Sequence, residues 1–159
     1  MNLSTKLLSY LPQPQEELLF EGQKLIDWAS QKDFSDYSFI VFPFSKCYEG
    51  FLKKLFKDLG FISEKEYYSD KIRIGRILNP HYANQKPSHS AYAKLGVFLK
   101  DTFLPEKMWQ IWKKYRNQIF HYFPSNLKKL SYSQAVKAAL EIIEVMQYSV
   151  DNLNLPKSD

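Results

Sequence analysis

Apolar residues recur at intervals of three and four along most of this chain, the spacing of a helix with one buried face. The first strong pattern runs through Leu18, Leu19, Gly22, Leu25, Ile26 and Ala29. It predicts a helix opening at Pro14 or Gln15, with Glu16 and Glu17 in a first turn whose free N–H groups favour negative charge. The second runs through Phe44, Cys47, Tyr48, Phe51, Leu52, Leu55, Phe56 and Leu59, and Gly60 closes it as a C-cap. Gly50 lies inside that helix. A mid-helix glycine costs about 1 kcal/mol relative to alanine, so this one predicts a close backbone approach by a neighbouring helix. A third pattern joins Ala91, Leu95, Phe98 and Leu99. A fourth, opened at Leu104 or Pro105 and stopped by Pro124, places Met108, Trp109, Trp112, Ile119, Phe120 and Phe123 on one side. The last, capped by Ser131 or Ser133, runs from Tyr132 to Val150 through Ala135, Ala139, Ile142, Ile143 and Met146.

The intervening segments are shorter or mixed. Residues 3–11 predict a short helix stopped by Pro12 and Pro14. The stretch SDYSFIVFPF fits a short strand, an extended connector or a buried helix start, because its β-branched and aromatic content is set against its length and Pro43. Ser63 and Glu66 have the spacing of a capping box. Residues 71–90 read as an irregular section with one helical turn near its start. The pattern as a whole predicts an all-α fold, a compact bundle of about four principal helices with short accessory ones. No repeat or linker divides it, so residues 1–159 read as one domain. Residues 1–14 form an N-terminal extension and residues 154–159 a frayed tail.

A chain of 159 residues can bury a real core. Its 12 Phe, 11 Tyr and 3 Trp predict either a ring-rich core or a ring-rich interface. The net charge of +5 permits a polyanionic partner without specifying one, and lysines and arginines cluster on both sides of residue 116. Cys47 is the single cysteine, which excludes an internal disulfide and favours a reducing compartment, here the cytoplasm. No signal peptide is evident, and no apolar run has the length of a membrane span, so no membrane partner is expected.

Candidate chemistry concentrates in Arg116-Asn117-Gln118-Ile119-Phe120-His121. Asn117 and His121 are four apart and share a helix face. Arg116 and His121 are about 140° apart on an ideal α-helix, but arginine is long and the helix is near its end. An imidazole titrates near neutrality and can take a proton from a hydroxyl or give one to a leaving oxygen. A guanidinium can hold a phosphate and stabilise developing charge, and Asn117 can orient a phosphate oxygen or the histidine. In RNA the 2′-hydroxyl supplies a nucleophile beside each phosphate. The same residues also have a structural reading. A histidine near a helix C-terminus caps carbonyls, and the arginine pairs with a carboxylate of the preceding helix. His81, His89, His121 and Cys47 are dispersed, so no metal set or cofactor is expected.

At these residues the chain resembles the HEPN superfamily, small helical bundles marked by Arg, four to six variable residues, then His, with a polar residue after the Arg. Here these are Arg116, Asn117 and His121. The segment FSKCYEGFLKKLFKDLG resembles the preceding core helix of such domains, with the RNase LS-type toxin group nearest in character. The resemblance covers roughly residues 43–153. It implies a metal-independent endoribonuclease acting as a homodimer, with Arg116, Asn117 and His121 catalytic and Lys46 and Glu49 accessory. It also implies a toxin of a toxin–antitoxin or phage-defence system with a protein antitoxin. The alternative within the family is a non-catalytic module for dimerisation and for protein or nucleic-acid binding. For RNA contact the expectation names Lys113, Lys114, Arg73 and Arg76 along the backbone, and Tyr115 and Tyr122 either for base stacking or, by their helical spacing, as core or dimer-interface rings.

Overall fold

Periodicity and caps together set the helix boundaries in the computed structural model, which describes residues 2–153 and 155. The elements are α1 (Thr5–Leu8), α2 (Gln13–Ala29), α3 (Val41–Asp58), α4 (Glu64–Tyr67), α5 (Ile74–Ile77), α6 (Pro80–Gln85), α7 (Ala91–Leu99), α8 (Phe103–Ile111) and α9 (Tyr132–Asn152). A π-helical segment, Trp112–Gln118, continues α8 without a break. Short 3₁₀ turns cover Ser38–Ile40, Pro87–His89 and Pro124–Asn126. The described residues contain no strand, and five helices reach seven residues once α8 and its π extension count as one. Of the expected frayed tail, all but Leu155 lies outside the described residues.

The core surrounds α3. Phe44, Cys47, Tyr48, Phe51, Leu52, Leu55 and Phe56 are each at most 1% exposed. Each large side chain buried this way contributes about 1.5–3 kcal/mol. Helix α2 lies antiparallel to α3, since Gly22 meets Phe44 while Gln15 meets Gly50. A Cβ on Gly22 would sit 2.5 Å from Phe44 Cζ, and one on Gly50 would sit 2.8 Å from Gln15 Nε2. What comes nearest to Gly50 is the Gln15 side chain of α2 and not, as predicted, the backbone of a neighbouring helix. On the other side, α9 presents Ala135, Ala138 and Ala139, small enough to let α3 and α9 approach. The Tyr48 hydroxyl donates to Met108 O (3.0 Å) and the Ser45 hydroxyl to Tyr115 O (2.7 Å), which runs α8 and its π extension antiparallel to α3.

The N-terminal extension is part of this core. Leu7, Tyr10 and Leu11 are buried, and the Tyr10 hydroxyl donates to Asp58 Oδ2 (2.8 Å), which also pairs with Lys54 (2.7 Å). Burial, then the Asp58 carboxylate, pushes the Tyr10 phenol far up. Cys47 is buried, and burial pushes its thiol up to about 12, which makes it a packing residue and an inert thiol.

Caps follow the sequence closely. Helix α3 ends in a Schellman motif, with Gly60 at φ 70°, Phe61 N–H donating to Phe56 O (2.7 Å) and Gly60 N–H to Lys57 O (2.9 Å). Two capping boxes are Ser-led, the expected Ser63/Glu66 before α4 and Ser131/Gln134 before α9. The ambiguous SDYSFIVFPF segment is a 3₁₀ turn running into α3. Pro43 is compatible because it sits in the first helical turn, where its missing N–H costs no hydrogen bond. Residues 71–90 hold more helix than the single expected turn. The Asn79 side chain accepts from His81 N–H to start α6 at Pro80, and Ser90 caps α7.

Asp36 ties the chain after the π segment to the approach to α3. Its Oδ1 accepts from Ser38 N–H (2.9 Å), the Ser38 hydroxyl (2.6 Å) and Leu130 N–H (3.1 Å), and its Oδ2 from Asn126 Nδ2 (3.0 Å). Burial pushes this carboxyl up, but the hydrogen bonds from Ser38, Asn126 and Leu130 outweigh it and hold the group below the usual carboxylate range. A depressed folded-state value means the stabilisation is present above the unfolded-state value and is lost as pH falls through the folded one. Asp36→Asn is therefore expected to cost about 1 kcal/mol at pH 7, a figure kept small because the site is partly solvated. Urea titrations at pH 7 and pH 3 check this, with the difference between the two proteins shrinking below pH ~4.

Candidate functional site

The site forms where α3, α5 and the π segment meet. A π turn closes on the fifth residue, so side chains in Trp112–Gln118 progress round the axis more slowly than in an α-helix. Hydroxyls of α3 hold the carbonyls at both ends of this transition. Met108 O accepts from both Tyr48 and Trp112 N–H, and Tyr115 O accepts from Ser45. Outside hydrogen bonds of this kind compensate for an irregular ladder. They turn Trp112 and Tyr115 inward, 8% and 5% exposed, and leave Arg116 and Asn117 on the rim.

Arg116 reaches α3 and not His121. Its Nε donates to Glu49 Oε2 at 3.0 Å, and the two side chains are 40% and 33% exposed. Its guanidinium carbon lies 5.9 Å from the centre of the Trp112 ring. With Nε occupied, the two terminal NH₂ groups remain for other acceptors. The geometry gives Glu49 the role of fixing Arg116, in place of an i,i+4 pair with Lys53, whose ammonium instead lies 3.5 Å from Ser69 O.

Around Arg116 opens a groove of about 430 Å³ whose walls include Glu49, Arg73, Arg76, Asn79, Trp109 and Asn117. The charged lining groups are three guanidiniums and one carboxylate, and the carboxylate is already paired with Arg116. Arg73 donates from Nη1 to Asp70 O (2.7 Å), and Arg76 stacks on Tyr82 with its guanidinium carbon 4.8 Å from the ring centre. Gly75, between those arginines, seats α5 on the π segment. A Cβ there would lie 2.5 Å from Trp112 Nε1. Such a surface suits an anion with several oxygens.

His121 follows the π segment and is exposed. Its Nε2–H donates to Asn117 Oδ1 at 3.2 Å, which leaves Nδ1 with the free lone pair in the neutral ring. His121 is therefore joined to the groove through Asn117, whose side chain lines it, and is not itself part of the wall.

The other candidates separate. Lys46 is exposed and lines a second, smaller pocket on the far side of Arg116. Arg73 and Arg76 line the groove. Lys113 and Lys114 are exposed, but Lys114 turns toward α9 and pairs with Glu141 (3.6 Å). Tyr115 offers no ring face to a base. It is buried, and its hydroxyl donates to Glu141, with burial and then that carboxylate pushing the phenol well up. On a helical count Tyr115 already falls with the apolar side, seven residues after Met108 and four before Ile119, and its burial follows that spacing. Tyr122 is 79% exposed, beside His121. Neither His81 nor His89 lines the groove. Asn79, Gly75, Ser45, Phe42 and Phe120 were not anticipated as site residues, and only Gly75, a glycine between two arginines, carries a signal in the sequence.

Among the described residues no three His, Cys, Asp or Glu side chains converge as a metal site, and no helix is long and apolar enough to cross a membrane. Comparison of the chain with protein-family models, curated proteins and solved structures gave no match.

Proposed function

We propose that this chain is a metal-independent endoribonuclease of HEPN type that acts as a homodimer in the cytoplasm. We place it as the toxin of a toxin–antitoxin or phage-defence system, held in check by a protein antitoxin. The observation that carries the reading is the arginine groove, centred on a guanidinium that Glu49 holds, with His121 tethered to its rim by Asn117.

In this reading Arg116, Arg73 and Arg76 bind the RNA phosphates. The 2′-oxygen forms a bond to the adjacent phosphorus as the bond from phosphorus to the 5′-oxygen breaks. His121 takes the 2′-hydroxyl proton on Nδ1 or, when protonated, supplies the proton that the leaving 5′-oxygen gains. The second copy provides the complementary partner. Arg116 offsets the charge that builds on the non-bridging oxygens. The products are a 2′,3′-cyclic phosphate and a 5′-hydroxyl.

The expected result is that RNA cleavage persists in EDTA, and that one 2′-deoxy nucleotide at the cut site stops cleavage there. End analysis of the fragments should find the cyclic phosphate. Loss of all cleavage in EDTA, or products carrying a 5′-phosphate, overturns the reading.

A second reading, a non-catalytic dimerisation and binding module, draws on a different surface. Phe61, Pro87, Ala93, Val97 and Phe98 border an apolar concavity of about 480 Å³, with Val97 80% exposed. It predicts a stable complex with a protein partner and no RNA products.

A further inference from the structure

We propose that the pocket on the α3 side of Arg116 receives one unstacked nucleobase of the RNA. The proposal deepens the nuclease reading and rests on it for the choice of RNA.

The pocket holds about 190 Å³ and is lined by Phe42, Ser45, Lys46, Glu49, Arg116 and Phe120. That is below the size of a typical ligand cleft and suits a single small planar group. Phe42 and Phe120 meet edge to face, with ring centres 5.8 Å apart and planes at 82°, which makes an open corner of one ring face and one ring edge. The two rings are 55% and 37% exposed, so both are open to solvent. Aromatic faces of this kind stack bases without regard to sequence.

Position and charge choose the occupant. Arg116 is a wall of both this pocket and the arginine groove, so a base in the corner has its own phosphate within the reach of a cationic surface. Half of the lining side chains are charged: Lys46, Glu49 and Arg116. The buried centre of a protein–protein contact is depleted in charge, which argues against a protein partner here. Glu49 accepts from Arg116 through Oε2, while Oε1 has no hydrogen-bond partner among the described residues. Lys46 forms no ion pair among them. The lining of the corner thus offers one acceptor and one cationic donor, the complement of a base edge that carries both N–H and carbonyl or ring-nitrogen groups. A base paired within a duplex cannot enter. It must leave the stack, which single strands and loops permit at little cost.

The test measures binding in the His121→Ala background, so that it does not depend on turnover. Labelled single-stranded RNA and a duplex of the same sequence are titrated, by fluorescence anisotropy, with that protein and with versions also carrying Phe42→Ala or Phe42→Trp. The proposal expects single strands to bind more tightly than duplex. Phe42→Ala should weaken single-strand binding about 5- to 100-fold, Phe42→Trp should retain it, and duplex binding should not respond to either change. Equal single-strand affinity with and without the Phe42→Ala change overturns the proposal, as does the absence of any single-strand binding. A Phe42→Ala change in oligomeric mass with no change in RNA affinity makes the corner a protein contact and also overturns it. If the binding ratios hold but the wild type cuts no RNA, the nuclease reading falls while the base pocket stands. If the wild type cuts RNA and Phe42→Ala binds and cuts it equally well, the pocket falls and the nuclease reading stands.

Discussion

His121→Ala is expected to lower the rate of RNA cleavage by about 10²- to 10⁴-fold, the range that one positioned acid–base group contributes. The loss falls on turnover and leaves folding untouched, because His121 is exposed and its side chain is bonded to Asn117 alone among the described residues. Arg116→Ala is expected to lower cleavage by about 10²- to 10³-fold through the lost stabilisation of charge in the transition state. Its effect on stability is about 0–1 kcal/mol, since the pair with Glu49 is substantially exposed. Arg116→Lys does not restore the rate. A lysine keeps the charge but cannot bond Glu49 and still present two parallel N–H groups to a phosphate. Glu49→Gln separates positioning from catalysis. It keeps an acceptor for Arg116 Nε while removing the charge, and its cost is smaller than that of either alanine change. Steady-state kinetics with thermal melts of each variant provide the check. Cleavage by purified His121→Ala at the wild-type rate removes His121 from the mechanism.

Phe44→Ala costs about 3–5 kcal/mol and lowers the melting temperature by roughly 10 °C or more. Phe44 is fully buried at the crossing of α2 and α3, where its ring fills the space left by Gly22. The two positions are coupled, and a double-mutant cycle reads the coupling. Gly22→Ala alone is destabilising by about 1–3 kcal/mol, because its Cβ would lie within 2.6 Å of two ring atoms. In a Phe44→Leu background the same change is neutral or stabilising. The ring tip is then gone, and alanine recovers about 1 kcal/mol of helix preference over glycine. Chemical denaturation of the four proteins measures this. A Gly22→Ala effect of the same size in both backgrounds shows that the ring does not set the crossing.

The fold was legible where the cause is local. Ser63 with Glu66 caps α4, Gly60 ends α3 in the left-handed region, and the apolar spacing of α2, α3 and α9 marks the faces they bury. These signals lie within a few residues of their effects. The candidate site was legible only in its identities. Arg116, Asn117, His121 and Glu49 could be named from the chain, and a carboxylate holding Arg116 was among the readings; the structure makes Glu49 that carboxylate. On an ideal α-helix Arg116 and His121 diverge, and the hydroxyls that hold the irregular segment come from Ser45 and Tyr48, about 60–70 residues away in sequence.

The Arg116–His121 segment shows where the division falls. By itself the sequence determined a basic, ring-rich, all-helical chain and set a histidine and an arginine near the end of one helix, because helix formation and capping are decided over a turn or two. Only the tertiary structure decided that this helix becomes a π segment, that Arg116 turns to Glu49, and that Tyr115 is buried while Phe42 and Phe120 stay open to solvent. Those outcomes depend on which carbonyls find distant hydroxyls and which rings find a cavity, and the contacts that settle them form only when α3, α5 and α8 pack together.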